Sequence, residues 1–194
     1  EHQRCNKGAH RRENRHIRLL VMGDYSKRHT ELQMRLLVSA ARLLQIPDYV
    51  SVIVKPHISF PIAAHDYPQL PFEVSMEPIA DLLQKCDIAF TSSVTSAAVD
   101  AYCAGVPVIV ALDPEFPNLS PLRGREDVQY ASTPKEFVDA VTTAAEKPPF
   151  GDHASSYFRL DADLPAWMTL LTQHPEGKSR DIETSLKQER YPLQ

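Results

Sequence analysis

Glycine is scarce in this chain, six residues in 194, less than half the share of roughly 7% found in an average protein. No glycine-rich phosphate loop is present: neither G-x-G-x-x-G nor G-x-x-x-x-G-K-[ST] occurs, so neither nucleotide fingerprint applies. Cysteine is equally sparse. Cys5, Cys86 and Cys103 are odd in number, scattered and form no C-x-x-C pair, which argues against a disulfide framework and for a reducing compartment. The longest apolar run, residues 106–112, falls far short of the roughly 20 residues that a membrane span needs. No secretory signal pattern opens the chain, and the expectation is a protein neither embedded in a membrane nor secreted. H-E-x-x-H, zinc-type His/Cys spacing and a G-x-S-x-G elbow are all missing, so neither a metal site nor a serine hydrolase is expected. Charge of one sign is lacking too, with 21 Lys+Arg against 25 Asp+Glu and a net charge of −4. That balance argues against a globally basic nucleic-acid binder.

What is present is an apolar share of 43%, enough for a real core in one domain of about 150 residues with loose ends. Residues 1–17 read as a basic linker or arm, carrying Arg4, Lys7, Arg11, Arg12 and Arg15 with three histidines. Such a charge run is either solvated or laid against an anionic partner. A linker at the head of a chain that starts without methionine leads to the expectation that this is the C-terminal part of something longer. The domain proper is expected over residues 18–172, and residues 173–194 form a polar tail.

Within that domain apolar strands alternate with helical patterns. Strands are expected over 18–22, 49–54, 72–75, 87–90, 106–112 and 127–131. The first helix is expected to open on a capping box at Thr30, with Gln33 three residues on, and to stop at Pro47. Further helices are expected over 78–86, opened by a proline, and over 97–104, stopped by Gly105. The last begins at a second capping box, Thr133 to Glu136, and runs to about Glu146. Short strands that are apolar throughout, alternating with helices, imply a mostly parallel sheet covered on both faces. The expected fold class is α/β: a Rossmann-like three-layer sandwich.

Ligands of such sheets bind beyond the C-terminal edges of the strands, and three segments are expected there, with Gly23-Asp24-Tyr25-Ser26 after the first strand as a weaker fourth. Lys55-Pro56-His57 offers two donors that project the same way from one strand end, although both could be plain surface residues. Thr91-Ser92-Ser93-Val94-Thr95-Ser96 offers hydroxyls and free N–H groups at a helix start, a natural phosphate site. One cap needs one hydroxyl and this run supplies five, which favours function over simple capping. Asp113-Pro114-Glu115 places carboxylates where a ribose hydroxyl could be received, or merely an exposed acidic loop. Asp81, Asp87 and Asp100 read as helix-start and solvated-face residues.

The strand ending in Lys55-Pro56-His57, then CDIAFTSSVTSAAVDAYCAGVPVIV, then DVQYASTPKEFVDAV resembles the C-terminal, nucleotide-sugar-binding half of glycosyltransferases with the two-domain GT-B fold. The pattern is most similar to bacterial sialyltransferases, polysialyltransferases, the glycerophosphotransferases of wall teichoic acid and related surface-carbohydrate proteins. It departs from them in one respect: those families show His followed by Pro, whereas Pro56 precedes His57 here. The resemblance covers about residues 18–147. It implies that Lys55, His57, Ser92, Ser93, Thr95 and Ser96 contact the donor phosphate and that Glu115 lies near the ribose or base.

The implied reaction is metal-independent glycosyl transfer with no cofactor, using a CMP-, CDP- or UDP-linked sugar. It would serve bacterial surface polysaccharide or lipopolysaccharide synthesis. The implied partners are the nucleotide sugar, an N-terminal domain of the same protein supplying the catalytic base, and a glycan or lipid-linked acceptor, without nucleic acid. The implied location is cytoplasmic, at the inner face of the membrane if the basic arm contacts anionic lipid. Two other readings stay open: a non-catalytic nucleotide-binding or protein-interaction module, and a nucleotide-sugar epimerase-like domain.

Overall fold

The computed structural model describes residues 16–46, 48–146, 157 and 163–172. Most of the basic arm, the tail from residue 173 and Pro47 lie outside the described residues. Six strands make one sheet: β1 (Ile17–Met22), β2 (Val50–Lys55), β3 (Glu73–Val74), β4 (Ile88–Ser92), β5 (Val108–Ala111) and β6 (Gln129–Ala131). Their spatial order is β3-β2-β1-β4-β5-β6, and every neighbouring pair is parallel. The α/β Rossmann-like fold class is therefore the observed one. This order reverses direction between β1 and β4, and a parallel sheet opens its ligand crevice at such a switch point.

The helices bounded among the described residues are α1 (Lys27–Ala40), α2 (Ile79–Leu83), α3 (Ala97–Cys103), α4 (Pro134–Glu146) and α5 (Pro165–Thr172). Two apolar layers form on the two faces of the sheet. One joins Leu19, Val21 and Phe90 to Met34 and Leu37 of α1 and Phe137 and Val141 of α4. The other joins Leu20, Met22 and Val110 to Leu82 of α2 and Ala98 and Tyr102 of α3. Alternate residues of one strand thus serve opposite faces, which is why the strands had to be apolar throughout. The chain divides into two units, residues 1–157 with the sheet and residues 158–194 with α5. Among the described residues, no helix is long and apolar enough to cross a membrane.

Local signals fared unequally. At α4 the capping box forms as expected: Glu136 N donates to Thr133 Oγ1 at 3.2 Å and Thr133 N to Glu136 Oε2 at 3.2 Å, with Pro134 in the first turn. The Glu136 carboxyl is held below its ordinary range, first by the Ser132 N–H and hydroxyl. At α3, Gly105 takes a φ of 74°, Val106 N bonds Ala101 O and Gly105 N bonds Tyr102 O. That is the paired closure of a left-handed helix stop. The box expected at Thr30 is wrong. The α1 helix starts one turn earlier, after Ser26, and Thr30 is fully buried, with its hydroxyl donating to Asp24 O and accepting from Asp24 N. The same hydroxyl chemistry that caps a helix end here ties the helix to the preceding strand. The β4 strand also continues past Phe90, so Thr91 and Ser92 belong to the strand and not to the turn.

Candidate functional site

Gly23 directly follows β1, and its N–H donates to Lys55 O at 2.9 Å, so the two strand ends meet edge to edge. A Cβ on Gly23 would lie 3.1 Å from His57 N and 3.3 Å from Pro56 Cα, contacts with backbone that no rotamer change relieves. Gly23→Ala is therefore expected to push the 55–57 segment outward, costing about 1–2 kcal/mol of stability by overpacking and weakening any ligand seated on that segment. Urea unfolding and a ligand titration check this together, and a variant equal to the parent in both would show that the segment is free to move.

Beyond these strand ends lies a cleft of about 590 Å³. Gly23, Lys55, Pro56 and His57 form one side, Thr95, Ser96 and Asp100 another, and Met22, Met76, Ile79 and Val94 supply the apolar remainder. The volume is that of a small-molecule site, apolar with a few placed polar groups. Lys55 and His57 are half-buried. The backbone N–H of Ser59 donates to His57 Nδ1 at 3.1 Å, so that nitrogen is an acceptor and the neutral ring carries its proton on Nε2. His57 is thereby a donor through Nε2. Tyr25, exposed at the rim, meets the His57 ring edge-on with centroids 6.4 Å apart.

The structure brings Lys55, His57, Thr95 and Ser96 together at this cleft and leaves the other three expected residues off its wall. Ser92 and Ser93 are buried, each 1% exposed. Ser92 Oγ donates a hydrogen bond to Asp24 Oδ2, and Asp24 Oδ1 accepts from Ser26 N at 2.7 Å. Asp24 is itself fully buried. Its carboxyl group holds the end of β1, the start of α1 and the end of β4 in one arrangement beneath the cleft. Glu115 sits in a different cluster. Arg28 donates from Nη2 to Glu115 Oε2 at 2.7 Å and from Nε to Asp113 Oδ2 at 2.6 Å, and its guanidinium lies 5.5 Å over the Phe116 ring. The hydrogen bond from Arg28, followed by one from Glu115 N, holds the Asp113 carboxyl below the usual carboxylate range.

No protein-family model and no curated protein matches this sequence. Solved structures do match in shape. The glycotransferase of kitacinnamycin superposes over 81% of this chain and 42% of its own, at a TM-score of 0.53 and 17% identity. The UDP-GlcNAc 2-epimerase of Methanocaldococcus jannaschii matches 81% of this chain and 46% of its own, at 0.51 and 14%. The spinosyn rhamnosyltransferase SpnG matches 77% and 42%, at 0.50 and 17%. The fold is Rossmann-like, of the GT-B type. The chain spans less than half the length of these proteins, and at such identities the likeness is one of fold alone.

From the sequence, Gly23-Asp24-Tyr25-Ser26 is a weaker fourth candidate segment, and it does fall in this region, whereas Asp100 reads only as a helix-start or solvated-face residue. Asp100 falls three residues after Ala97, on the same helix face, a spacing that carries meaning only once Ala97 is known to face a cleft.

Proposed function

We infer that this chain is the donor-binding half of a glycosyltransferase. Transfer from a nucleotide-activated sugar, CMP-, CDP- or UDP-linked, in the cytoplasmic assembly of bacterial surface polysaccharide or lipopolysaccharide is the reaction this reading assigns. The observation that carries it is the cleft at the C-terminal edge of a β3-β2-β1-β4-β5-β6 parallel sheet, where Lys55, His57, Thr95 and Ser96 converge. In this reading Lys55 Nζ and His57 Nε2–H meet the phosphate of the donor, and the Thr95 and Ser96 hydroxyls bond its remaining oxygens. When the glycosidic C–O bond breaks, the electron pair goes to the phosphate oxygen, and these preplaced donors stabilise the charge that gathers there. A group that deprotonates the acceptor hydroxyl belongs, in this reading, to a second domain. The resemblance to sialyl-, polysialyl- and teichoic-acid-type enzymes supports the pyrimidine nucleotide. The basic arm would lie against anionic lipid or join the two domains.

Calorimetric titration of the chain with CMP, CDP, UDP, GDP and ADP tests this. Selective binding of one pyrimidine nucleotide is expected, weakened about tenfold or more in His57→Ala and Lys55→Ala, since each removes a hydrogen bond to a charged group. Absence of binding at millimolar nucleotide, repeated in a protein that includes the second domain, would move the assignment to a non-catalytic interaction module.

A further inference from the structure

One buried imidazole plays no part in the cleft. His29, in the first turn of α1, is 6% exposed, and neither of its ring nitrogens has a hydrogen-bond partner. Burial without a partner is unfavourable, and the ring gains one only if its surroundings rearrange. Phe116 lies against it, edge-on, with centroids 5.4 Å apart. Phe116 is itself exposed on its outer side.

The segment that carries Phe116 has few ties to the rest of the fold. Pro114 and Pro117 lack an N–H, and the N–H groups of Glu115 and Phe116 turn inward to Asp113 Oδ1 and Asp113 O, both at 3.0 Å. Ser120 N likewise donates to Asn118 Oδ1. Among the described residues, the hydrogen bonds that leave residues 113–120 for another element all come from Arg28, to Asp113 and Glu115. The chain is anchored on either side. Leu112 N bonds Ala131 O, and Leu122 is fully buried, its carbonyl accepting from the Tyr130 hydroxyl at 2.7 Å. Arg28 also lies over the Phe116 ring, so two consecutive residues of α1 grip one aromatic side chain.

We propose that residues 113–120 are a strap, latched by Arg28, that shuts His29 off from the ligand-binding edge of the sheet. The strap swings about its two anchors when Arg28 releases the carboxylates. Glu115 and Arg28 are both exposed, and ion pairs of that kind are weak and yield to salt. Opening presents an imidazole at the C-terminal edge of the strands, where it exchanges a hydrogen bond or a proton with a hydroxylated ligand. Closing withdraws it, and also keeps Asp113 and Glu115 from any ligand while Arg28 holds them. The device is independent of which ligand the cleft takes.

Diethyl pyrocarbonate, which acylates accessible imidazole, reads the strap in the full chain, with peptide mass spectrometry locating the adduct. His65, whose side chain is exposed, is the accessible reference. The buried Cys86 thiol, read with a thiol reagent, is the reference for opening of the whole domain. In the unaltered chain His29 should react about tenfold or more slowly than His65, the mark of local opening. Arg28→Ala should raise the His29 rate about three- to tenfold, and Glu115→Gln, which cuts one of the two pairs, about two- to threefold. About 1 M NaCl should raise it in the unaltered chain and leave Arg28→Ala as it was. Both substitutions are at exposed positions and should leave the fold intact. Equal rates at His29 and His65 in the unaltered chain would show that there is no strap. A His29 rate that Arg28→Ala or salt leaves unchanged would show that there is no latch. A rise shared by Cys86 would trace the exposure to unfolding of the domain, and each of these three results overturns the proposal.

Discussion

Asp24→Ala is expected to remove about 3 kcal/mol of stability and to abolish ligand binding in the cleft as well. Asp24 is fully buried, and its loss leaves Ser92 Oγ and Ser26 N–H without their acceptor. Each of those bonds contributes on the order of 1–2 kcal/mol, and a buried donor stranded without water costs about 1–3 kcal/mol more. A domain of this size holds about 5–15 kcal/mol in total, so the variant is left close to its unfolding limit. Binding suffers because the segment from Ser92 to Ser96 leads directly into the Thr95–Ser96 wall, and Val94 N also leans on Ser92 Oγ at 3.3 Å. Asp24→Asn keeps one acceptor oxygen and should lose only about half as much. Urea unfolding of Asp24→Ala, Ser92→Ala and the double variant gives the coupling between the two side chains, expected at about 1–3 kcal/mol. A coupling near zero would show that the two groups do not act together.

Phe137→Ala should cost still more, about 3–5 kcal/mol, and yet leave the cleft intact. Phe137 of α4 is fully buried and packs its ring on Phe90 of β4, with centroids 4.3 Å apart and planes 38° apart. Truncation loses the transfer energy of a whole ring and opens a cavity against a sheet that cannot collapse into it. The aromatic pair adds about 0.5–1.5 kcal/mol beyond the buried area. The ring belongs to the α1 and α4 layer, whereas the helical wall of the cleft comes from α3 on the opposite face. The folded fraction should therefore bind ligand as the parent does. A lowered urea midpoint at unchanged slope would register the stability loss alone. A loss under about 2 kcal/mol would mean that α4 slides to refill the space.

These two substitutions separate what local sequence encodes from what it does not. The capping box at Thr133, the proline that opens α4 and the glycine that ends α3 are energies between residues one to six apart. They read correctly because the chain satisfies them wherever the helix lies. Thr30 read wrongly for the same reason: Thr-x-x-Gln spacing is a local pattern, and burial against the end of β1 outweighed it. Gln33, expected as the other half of that box, instead donates from Nε2 to Phe90 O at 2.8 Å and contacts Met22 O at 3.3 Å, clamping β4 to β1.

The sequence by itself determined that the domain is a doubly covered parallel sheet, because runs of apolar strand residues leave no face for water and helical periodicity supplies the covers. It also placed Lys55, His57, Thr95 and Ser96 at strand and helix ends, where parallel sheets bind ligands. Only the tertiary structure decided which of the candidates meet. Asp24 and Ser92 lie 68 positions apart, and Arg28 and Glu115 lie 87 apart. Their pairing depends on β1 lying between β2 and β4, a choice made by the packing of the whole core. No local pattern records it, so the contact between Asp24 and Ser92 beneath the cleft and the place of Asp100 on its wall emerged only when the strands were brought side by side.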